Sequence, residues 1–380
     1  MVGRKFISDD ELLSAIRSTD SYAAAARSLG IHRRTLYRRL EYIKQGRSVD
    51  QRKQQIQPPM RDDEIFRKRS ILWNPTSGET KLEWFCTDRD KQAQYEAMKA
   101  AADALKEDLP VIPKIKAPKV PHNDLLNLFI LTDAHIGMLA WGEETGEDWD
   151  TSLAREMILR YFSVAIEKAP DAERAVLAQL GDFLHYDGID SVTPANKHQL
   201  DTDSRFAKLV RLGIVVTREV VEMLLKKYAS VDVIMAEGNH DPVSEIWLRE
   251  SFADRYRKQD RLRLDTSPKP FYAVEHGRTS LFFHHGHLKK VDQIDRALTA
   301  EFREIFGRTK YSYCHVGHLH HHLVKETELM KVEQHSTLSA RDAYASRHLF
   351  RSARQAQVIT YHAKHGDVGR LVITPEQLEN

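Results

Sequence analysis

Five short clusters of metal-ligating residue types follow one another in the second half of the chain. They are Asp133-Ala134-His135, Gly181-Asp182-Phe183-Leu184-His185, Gly238-Asn239-His240-Asp241, His284-His285-Gly286-His287 and Gly317-His318-Leu319-His320. Carboxylate, imidazole and amide groups are ligands that suit Mn, Fe or Zn in hydrolytic centres. Each cluster directly follows an apolar, strand-like stretch, so we expect the clusters to lie side by side on neighbouring loops. The pattern therefore predicts a two-metal hydrolytic site.

Spacing inside the clusters indicates how their side chains could converge. Asp133 and His135 are two residues apart, as are His318 and His320, so an extended backbone would direct each pair to one side of a strand end. Hydrolysis of a phosphoester by two divalent ions, about 3.5–4 Å apart, needs a carboxylate that bridges them. Asp182, which stands alone between a glycine and apolar residues, is the candidate for this bridge.

The clusters have to be positioned by the strands of one domain, which we expect to span residues 122–380. Leu125–Leu131 and 175–180 are predicted strands on either side of a helix over Thr151–Lys168, and a helix over 204–228 precedes a strand over 231–236. This alternation of strands and helices predicts a parallel sheet with right-handed crossovers. Ligands bind such sheets at the carboxyl ends of the strands, which is where the first three clusters fall.

The later part of the same domain predicts a second sheet. Few helices separate its strand-like stretches, so we expect this sheet to be mainly antiparallel. The stretches are 271–274, 280–283, Tyr311–Val316, 358–361 and 370–373. The predicted fold class of the domain is therefore α/β with two sheets.

The five clusters, in this order, resemble the signature of the calcineurin-like metallophosphoesterase superfamily. That signature reads D-x-H, G-D, G-N-H-D/E, a histidine before glycine, and G-H-x-H, and the match spans about residues 125–340. The family fold is a sandwich of two sheets flanked by helices, so the resemblance implies that architecture here. It also implies two divalent metal ions as cofactors, with Mn²⁺ favoured and Fe or Zn as alternatives.

The resemblance assigns the ligands to two sites that share one carboxylate. The implied ligands are Asp133, His135, Asp182 and His320 for one ion, and Asp182, Asn239, His285 and His318 for the other. In the fourth cluster His284 and His287 are alternative candidates for the ligand position. His285 is chosen because the family ligand precedes glycine.

The resemblance also implies residues that act without binding metal. His240 would protonate the leaving oxygen or stabilise the transition state, with Asp241 holding its ring. The second cluster reads Gly-Asp-x-x-His, which resembles the DNA-repair nuclease branch of the superfamily. His185 would then act near the scissile phosphate, or alternatively it would only pack or hydrogen-bond within its loop.

A basic block lies at the N-terminus. Residues 1–60 contain 12 Lys/Arg and 6 Asp/Glu, a net charge of +6 in a chain whose total is +2. This asymmetry suggests an anionic partner held at one end. Residues 7–46 predict three short helices, and 22–44 resembles a Fis-like helix-turn-helix, with Ala26 where the helices cross and Gly30 in the turn.

In a helix-turn-helix the second helix enters the major groove of DNA. The residues that we expect to contact DNA are Arg33, Arg34, Thr35, Arg38 and Arg39. The alternative is a small helical bundle whose basic face contacts protein.

The whole chain is predicted to contain five segments, in an arrangement that resembles proteins encoded by bacteriophages and prophages. They are a helix-turn-helix domain (1–46), a linker (47–65), a hairpin-plus-helix module (66–108), a proline-rich linker (109–121) and the metallophosphoesterase-like domain (122–380). Hydrophobic residues make up 41% and charged residues 29%, without a membrane-length apolar stretch or a signal-peptide core. Cys86 and Cys314 are the only cysteines, which fits a reducing cytosol. We therefore expect a cytoplasmic protein.

These features favour a two-metal phosphodiester hydrolase, namely a nuclease acting on DNA that the helix-turn-helix recruits. One alternative is a phosphomonoesterase or protein phosphatase localised to DNA. Another is a non-catalytic DNA-binding regulator. The expected partner is DNA, with no membrane association, and a homodimer is compatible with the resemblance because members of the family often dimerise.

Overall fold

The computed structural model describes residues 7–44, 64–73, 80–89, 113–119 and 124–378. The chain divides into two compact units, Met1–Tyr95 and Glu96–Asn380. The predicted helix over 90–106 and most of the predicted linker over 47–65 lie outside the described residues. Among the helices that are described, none is both long and apolar enough to cross a membrane.

The N-terminal head contains the three predicted helices. They are α1 (Asp9–Arg17), α2 (Tyr22–Ser28) and α3 (Arg33–Lys44). Ser8 and Glu11 form a reciprocal capping box at the start of α1, in which each side chain accepts from the amide of the other residue. Gly30 makes the turn before α3 with a φ of +66°. Ala26 and Leu36 are buried together between the helices, as the predicted crossing requires.

A two-stranded antiparallel hairpin completes the described part of the first unit. Its strands are β1 (Glu64–Trp73) and β2 (Thr80–Arg89), with Glu64 paired to Arg89. The first strand starts at Glu64, before the start of the module predicted over 66–108. The hairpin therefore begins two residues inside the predicted linker 47–65.

The second unit alternates strands and helices and then returns to strands. Its elements are β3 (Leu125–Leu131), α4 (Gly142–Thr145), α5 (Thr151–Lys168), β4 (Arg174–Gln179), α6 (Phe206–Lys227), β5 (Ser230–Met235), α7 (Pro242–Arg255), β6 (Leu262–Leu264), β7 (Tyr272–His276), β8 (Thr279–Phe283), α8 (Ile294–Glu301), α9 (Arg303–Arg308), β9 (Tyr311–Val316), β10 (Leu323–Glu326), β11 (Lys331–Gln334), α10 (Ala343–Arg347), β12 (Ala356–His362), β13 (Gly366–Ile373) and a 3-10 turn (Pro375–Leu378).

The first sheet has the order β13-β12-β3-β4-β5-β6. Strands β3 to β6 are parallel, as the strand–helix alternation predicted. The assignment of 358–361 and 370–373 to the second sheet was wrong, because β12 pairs antiparallel with β3 and adds β13 to the same edge. A tight turn joins β12 to β13. The sequence pattern alone does not show to which of the two sheets these strands belong.

The second sheet has the order β10-β11-β9-β8-β7. The prediction of a mainly antiparallel sheet was wrong, because the central pairs β8–β9 and β9–β11 are parallel. Helices α8 and α9 provide the crossover between β8 and β9. These two short helices were not predicted from the sequence. Without a crossover between β8 and β9, the two strands were expected to pair antiparallel.

The two sheets pack face to face around an apolar layer. This layer joins residues of β3, β4, β5 and β12 of the first sheet to residues of β7 and β8 of the second, with Phe283 and Tyr361 among the largest side chains. Helices α5, α6 and α7 cover the other face of the first sheet, and α8 and α9 cover the other face of the second. The predicted two-sheet sandwich flanked by helices is confirmed.

The described part of the proline-rich linker lies along the surface of the second unit. The amide of Ile115 donates to the Gln259 side chain at 3.3 Å, and the Gln259 amide nitrogen donates to the carbonyl of Pro113. Arg261 donates to the carbonyl of Ile115 at 2.8 Å. Residues 113–119 form neither helix nor strand, and these bonds fix them to the sandwich.

Candidate metal centre

The five clusters come together at one end of the sandwich. They follow β3, β4 and β5 of the first sheet and β8 and β9 of the second. These strands are parallel within their sheets, so their carboxyl ends share an edge. Potential ligand atoms from the two sheets lie within 4.8 Å of one another. The structure thus brings the predicted clusters to one place.

The first group of ligand atoms belongs to Asp133, His135 and His320. Nε2 of His320 lies 3.2 Å from Oδ1 of Asp133 and 3.2 Å from Nε2 of His135. These three side chains come from the ends of β3 and β9 and point at a common centre. They are three of the four residues that the resemblance implied for one metal, the fourth being Asp182.

The second group belongs to Asp182, His285 and His318. Nε2 of His285 lies 3.2 Å from Oδ2 of Asp182 and 3.1 Å from Oδ1 of Asn239. The other oxygen of Asp182, Oδ1, accepts the amide of His240 at 2.8 Å. The ligands that the resemblance implied for the second metal therefore converge as well.

The backbone at the ligands is strained. Asp133, His135, Asp182, His318 and His320 all have positive φ, between +42° and +77°. Within the described residues they account for five of the seven non-glycine residues with this conformation. The expectation of an extended backbone between Asp133 and His135 was therefore wrong. Because left-handed backbone is costly for residues with a Cβ, such outliers typically mark functional sites.

Hydrogen bonds hold Asp133 in this conformation. Its backbone carbonyl accepts the hydroxyls of Thr337 at 2.7 Å and Ser339 at 2.6 Å. Its carboxylate accepts the hydroxyl of Thr132 at 2.5 Å and the amide of His318 at 3.0 Å. Thr337 and Ser339 follow β11 and belong to no sequence motif, so their contacts with Asp133 were not predicted. Only the fold places them beside β3.

The residue set fits divalent cations. Asp133 and Asp182 are almost completely buried, and burial by itself would raise a carboxyl pKa. Burial raises the pKa of Asp182, but the charges of His285, His240 and His135 and a hydrogen bond to His285 together hold it well below its usual range. Burial lowers the pKa of His285, but the Asp182 carboxylate raises it to about 9. Two buried carboxylates beside four imidazoles and an amide oxygen form a donor set that suits Mn, Fe or Zn.

In the fourth cluster the structure favours His285. Its Nδ1 donates to the carbonyl of Leu180 at 2.7 Å, which directs Nε2 to the centre. His284 is buried, accepts the Gly286 amide at 2.7 Å and stacks on Phe271. His287 stacks on His284 instead of joining a ligand group in the described residues.

His240 is held beside the ligands by a backbone carbonyl. Its Nδ1 donates to the carbonyl of His185 at 2.8 Å, and its ring lies 4.7 Å from the ring of His135. The prediction that Asp241 holds this ring was wrong. Asp241 is buried and accepts the amides of Asp182, Gly238 and Leu184, so it ties the second cluster to the third. Burial raises its pKa well above the usual value, and the nearby Asp182 adds to this rise.

His185 is buried beside His135 and His240. It is 1% exposed, its Nδ1 is 3.2 Å from Nδ1 of His135, and its ring stacks on that of His240 at 5.5 Å. Burial, reinforced by the charge of His240, lowers the pKa of His185 to about 3. This geometry supports the alternative in which His185 hydrogen-bonds within the site, since a buried neutral ring positions its neighbours rather than reaching a phosphate.

The predicted DNA-binding residues of the head lie on α3, but not all of them face solvent. Arg33, Arg34 and Arg38 are exposed, and Thr35 is half-buried. Arg39 has to be withdrawn from this set. Its guanidinium forms an ion pair with Asp9 and donates to the carbonyl of Ile7 at 2.7 Å, which ties α3 to the start of α1.

The N-terminal head is similar to a known protein family. Residues 6–42 match the helix-turn-helix family described as bacterial regulatory protein, Fis family. No curated protein matches the chain.

Similar solved structures cover about two thirds of the chain. A conserved protein of Streptococcus pneumoniae, a predicted phosphoesterase, is 11% identical over 66% of this chain and 98% of that chain, with a TM-score of 0.29. An archaeal phosphodiesterase is 13% identical over 65% and 99%, with a TM-score of 0.32. Vps29 of Entamoeba histolytica in complex with Zn²⁺ is 10% identical over 66% and 98%, with a TM-score of 0.29. At these identities none of them assigns a reaction to this chain.

The chain thus joins a segment that matches the Fis-family helix-turn-helix model to a two-sheet unit that gathers clustered aspartate and histidine side chains at the ends of its strands.

Proposed function

We propose that the second unit is a two-metal phosphodiester hydrolase that acts as a nuclease on DNA recruited by the N-terminal helix-turn-helix. The observation that carries the proposal is the pair of candidate ligand groups, Asp133/His135/His320 and Asp182/His285/His318, with His240 outside both and its ring beside that of His135. Two divalent ions bound there, with Mn²⁺ as the favoured metal, would neutralise phosphoryl oxygens and activate a water.

The protein residues have separate tasks in this proposal. Asp182 would provide the carboxylate that bridges the two ions, held by its contact with His285. The His185 carbonyl occupies Nδ1 of His240, which leaves Nε2 as the nitrogen that can give a proton to the leaving oxygen. His135 and His185 pack against the His240 ring and limit its rotation.

The basic face of α3 supports DNA as the substrate. Arg33, Arg34 and Arg38 are exposed on the helix that enters the major groove in helix-turn-helix proteins. A phosphomonoesterase or protein phosphatase localised to DNA is the second candidate, because the same ligand set serves both kinds of ester. The third candidate is a non-catalytic regulator.

The test uses metal-stripped protein supplied with Mn²⁺. Substrates are bis(p-nitrophenyl) phosphate, p-nitrophenyl phosphate, single- and double-stranded DNA, and RNA. We expect diester and DNA hydrolysis, and a loss of about 10²–10⁴-fold in His240→Ala, since general acid catalysis contributes that much. The control is His365→Ala, an exposed histidine in the β12–β13 turn. Hydrolysis of the monoester with inert DNA would support the second candidate, and inert wild-type protein with every metal would support the regulator.

A further inference from the structure

A further cluster of potential metal ligands lies outside the candidate metal centre. His315, Glu333 and His335 each place a ligand atom within 4.8 Å of the other two, and none belongs to the groups around Asp133 and Asp182. All three side chains are buried, with exposures of 0%, 1% and 1%. Glu333 pairs with His315 across the parallel strands β11 and β9, and His335 directly follows β11. We call these three residues the β9–β11 cluster.

The two histidines of the cluster are spaced much like metal ligands. Nδ1 of His315 lies 2.9 Å from Nε2 of His335. In a tetrahedral zinc site with Zn–N distances of about 2.0–2.1 Å, two ligand nitrogens lie about 3.3 Å apart. A shift of a few tenths of an ångström would therefore give the spacing of two zinc ligands. The candidate ligands His135 and His320 of the metal centre show a similar contact, with 3.2 Å between their Nε2 atoms.

The ring of His315 is oriented by a second contact. Its Nε2 lies 3.0 Å from the hydroxyl oxygen of Tyr361, which directs Nδ1 toward His335. Histidines that bind metal in proteins usually make such a contact through the other ring nitrogen, because it fixes the ring and its tautomer. Tyr361 is completely buried, so this contact is shielded from water.

Two polar atoms of the cluster have no hydrogen-bond partner among the described residues. They are Oε2 of Glu333 and Nδ1 of His335, and both are buried. Buried polar atoms are normally paired, because an unpaired one loses its contacts with water and gains nothing in return. A cation bound to Oε2 would give this carboxylate oxygen the partner that it lacks.

The protonation states of the cluster already suit a metal ion. Burial lowers the pKa of His335 to about 4 and that of His315 well below its usual value, so both rings are neutral near pH 7. Burial raises the pKa of Glu333, but a hydrogen bond from Arg370 and the neighbouring histidines together hold it below its usual range. Arg370 donates to Oε1 of Glu333 at 2.6 Å and shares its charge with Asp367 at 2.8 Å. It therefore leaves Oε2 for another partner.

His322 connects the cluster to solvent. Its Nε2 lies 3.0 Å from Oε1 of Glu333, and its side chain is 36% exposed. A metal ion needs a path from solvent to a buried site, and this side chain marks one. His322 is also a candidate for the fourth position of a tetrahedral site, with a water molecule as the alternative.

We propose that the β9–β11 cluster binds one Zn²⁺ ion through His315, Glu333 and His335. Imidazole nitrogens and a carboxylate oxygen suit Zn²⁺, and a buried zinc site stabilises the fold. This ion would be a third metal, separate from the two ions of the proposed function. The inference goes beyond that function, because it holds whether or not the metal centre hydrolyses a phosphodiester.

A zinc ion in the cluster would support the metal centre. It would join β9 to β11, whose ends carry residues of that centre. His318 is three residues after His315, and Thr337, whose hydroxyl bonds the Asp133 carbonyl at 2.7 Å, is two residues after His335. Fixing the two strands to each other therefore fixes the starting points of both segments.

The first test counts bound metal. The full-length protein is stripped of metal, reloaded with Zn²⁺ and dialysed against metal-free buffer, and bound zinc is measured by mass spectrometry. Glu333→Gln keeps an acceptor for Arg370 but loses the charge, and it should bind one equivalent fewer than the wild type. The matched control is His276→Gln, which removes a buried histidine bonded to the Asp124 carbonyl at 2.9 Å and should keep the wild-type count.

The second test places the ion by a spectroscopic signature. His335→Cys replaces an imidazole with a thiol, whose thiolate is also a zinc ligand. When loaded with Co²⁺, this variant should show a thiolate-to-cobalt charge-transfer band in the near ultraviolet that the wild type lacks. Adding Glu333→Gln to the same variant should abolish the band. Loss of folding cannot produce a new band, so a positive result locates the metal.

Three results would overturn the inference. One is an equal zinc count in the wild type and Glu333→Gln. Another is a folded His335→Cys variant, as judged by circular dichroism, without the cobalt band. The third is an equal loss of zinc in His276→Gln, because the loss would then follow from a weakened fold. Failure of the proposed function would look different, since the wild-type protein would hydrolyse no phosphodiester while the difference of one zinc equivalent remained.

Discussion

The hydroxyls of Thr337 and Ser339 offer the sharpest test of how the metal centre is built. Both donate to the backbone carbonyl of Asp133, whose φ is +49°. Thr337→Val combined with Ser339→Ala removes both donors and leaves side chains of similar size. We expect this double variant to bind metal more weakly, because Asp133 can then relax toward an ordinary backbone conformation and move its carboxylate.

The expected losses of stability and metal affinity follow from two opposing contributions, the backbone strain at Asp133 and the hydrogen bonds that offset it. A left-handed backbone costs a non-glycine residue about 1–2 kcal/mol. Each hydrogen bond contributes about 0.5–1.5 kcal/mol net, so the two hydroxyls together offset a strain of that size. Their loss should lower the free energy of unfolding by about 1–3 kcal/mol. Metal affinity should fall about 10–100-fold, as it does when groups that orient metal ligands are removed.

The assay combines two measurements on the same preparations. Calorimetric titration of metal-stripped protein with Mn²⁺ gives the affinity, and denaturant unfolding in EDTA gives the stability. The matched control is Thr360→Val, which removes another buried hydroxyl, bonded to Asn127 at 2.8 Å on the first sheet. The control should lose stability but keep its metal affinity. If the double variant behaves like this control, the hydroxyls support the fold and do not position Asp133, and the reasoning fails.

Substitutions at three other positions test metal binding, DNA binding and folding separately. Gly317→Ala should weaken metal binding at the first site in calorimetric titration, because a Cβ there would lie 2.6 Å from Oδ2 of Asp133. The control Gly307→Ala has open space around it and should keep the wild-type affinity, so equal affinities in the two variants would contradict the geometry. Arg38→Ala should weaken duplex DNA binding and reduce its salt dependence by about one phosphate contact, as measured by anisotropy at several salt concentrations. Arg39→Ala should instead lower the free energy of unfolding of the head by about 1–3 kcal/mol, because it breaks a partly buried ion pair, and an unchanged unfolding curve would count against this role.

The sequence could predict where the candidate site lies, because each cluster stands at the end of an apolar strand. The strand pattern also placed β3 at Leu125–Leu131 and α5 at Thr151–Lys168, where hydrophobic residues follow the period of the element. The pairing of β12 with β3 was not predictable in the same way. Sheet membership of late strands depends on long-range packing, and nothing local in 356–373 separates one sheet from the other.

The roles of residues around the ligands were harder to predict than the ligands. Asp241 follows His240 directly, which suggested a carboxylate that orients the ring. In the structure Asp241 accepts three backbone amides, and the His185 carbonyl orients His240. Arg39 was assigned to DNA because of its charge, and it turns back to Asp9. Backbone groups carry no sequence signal, so contacts that involve them appear only with the fold.

The backbone strain at the candidate metal ligands bears on whether the metal centre is catalytically active. Five ligands with left-handed backbone, at about 1–2 kcal/mol each, would together cost about as much as the whole stability of a typical domain, which is about 5–15 kcal/mol. Bonds such as those to the Asp133 carbonyl offset part of this cost. A domain that kept only a structural role would gain from relaxing these residues, and substitutions that allow it would accumulate without penalty. Strain of this size at five of the seven proposed ligands therefore supports the proposed hydrolytic centre over the alternative of a non-catalytic regulator.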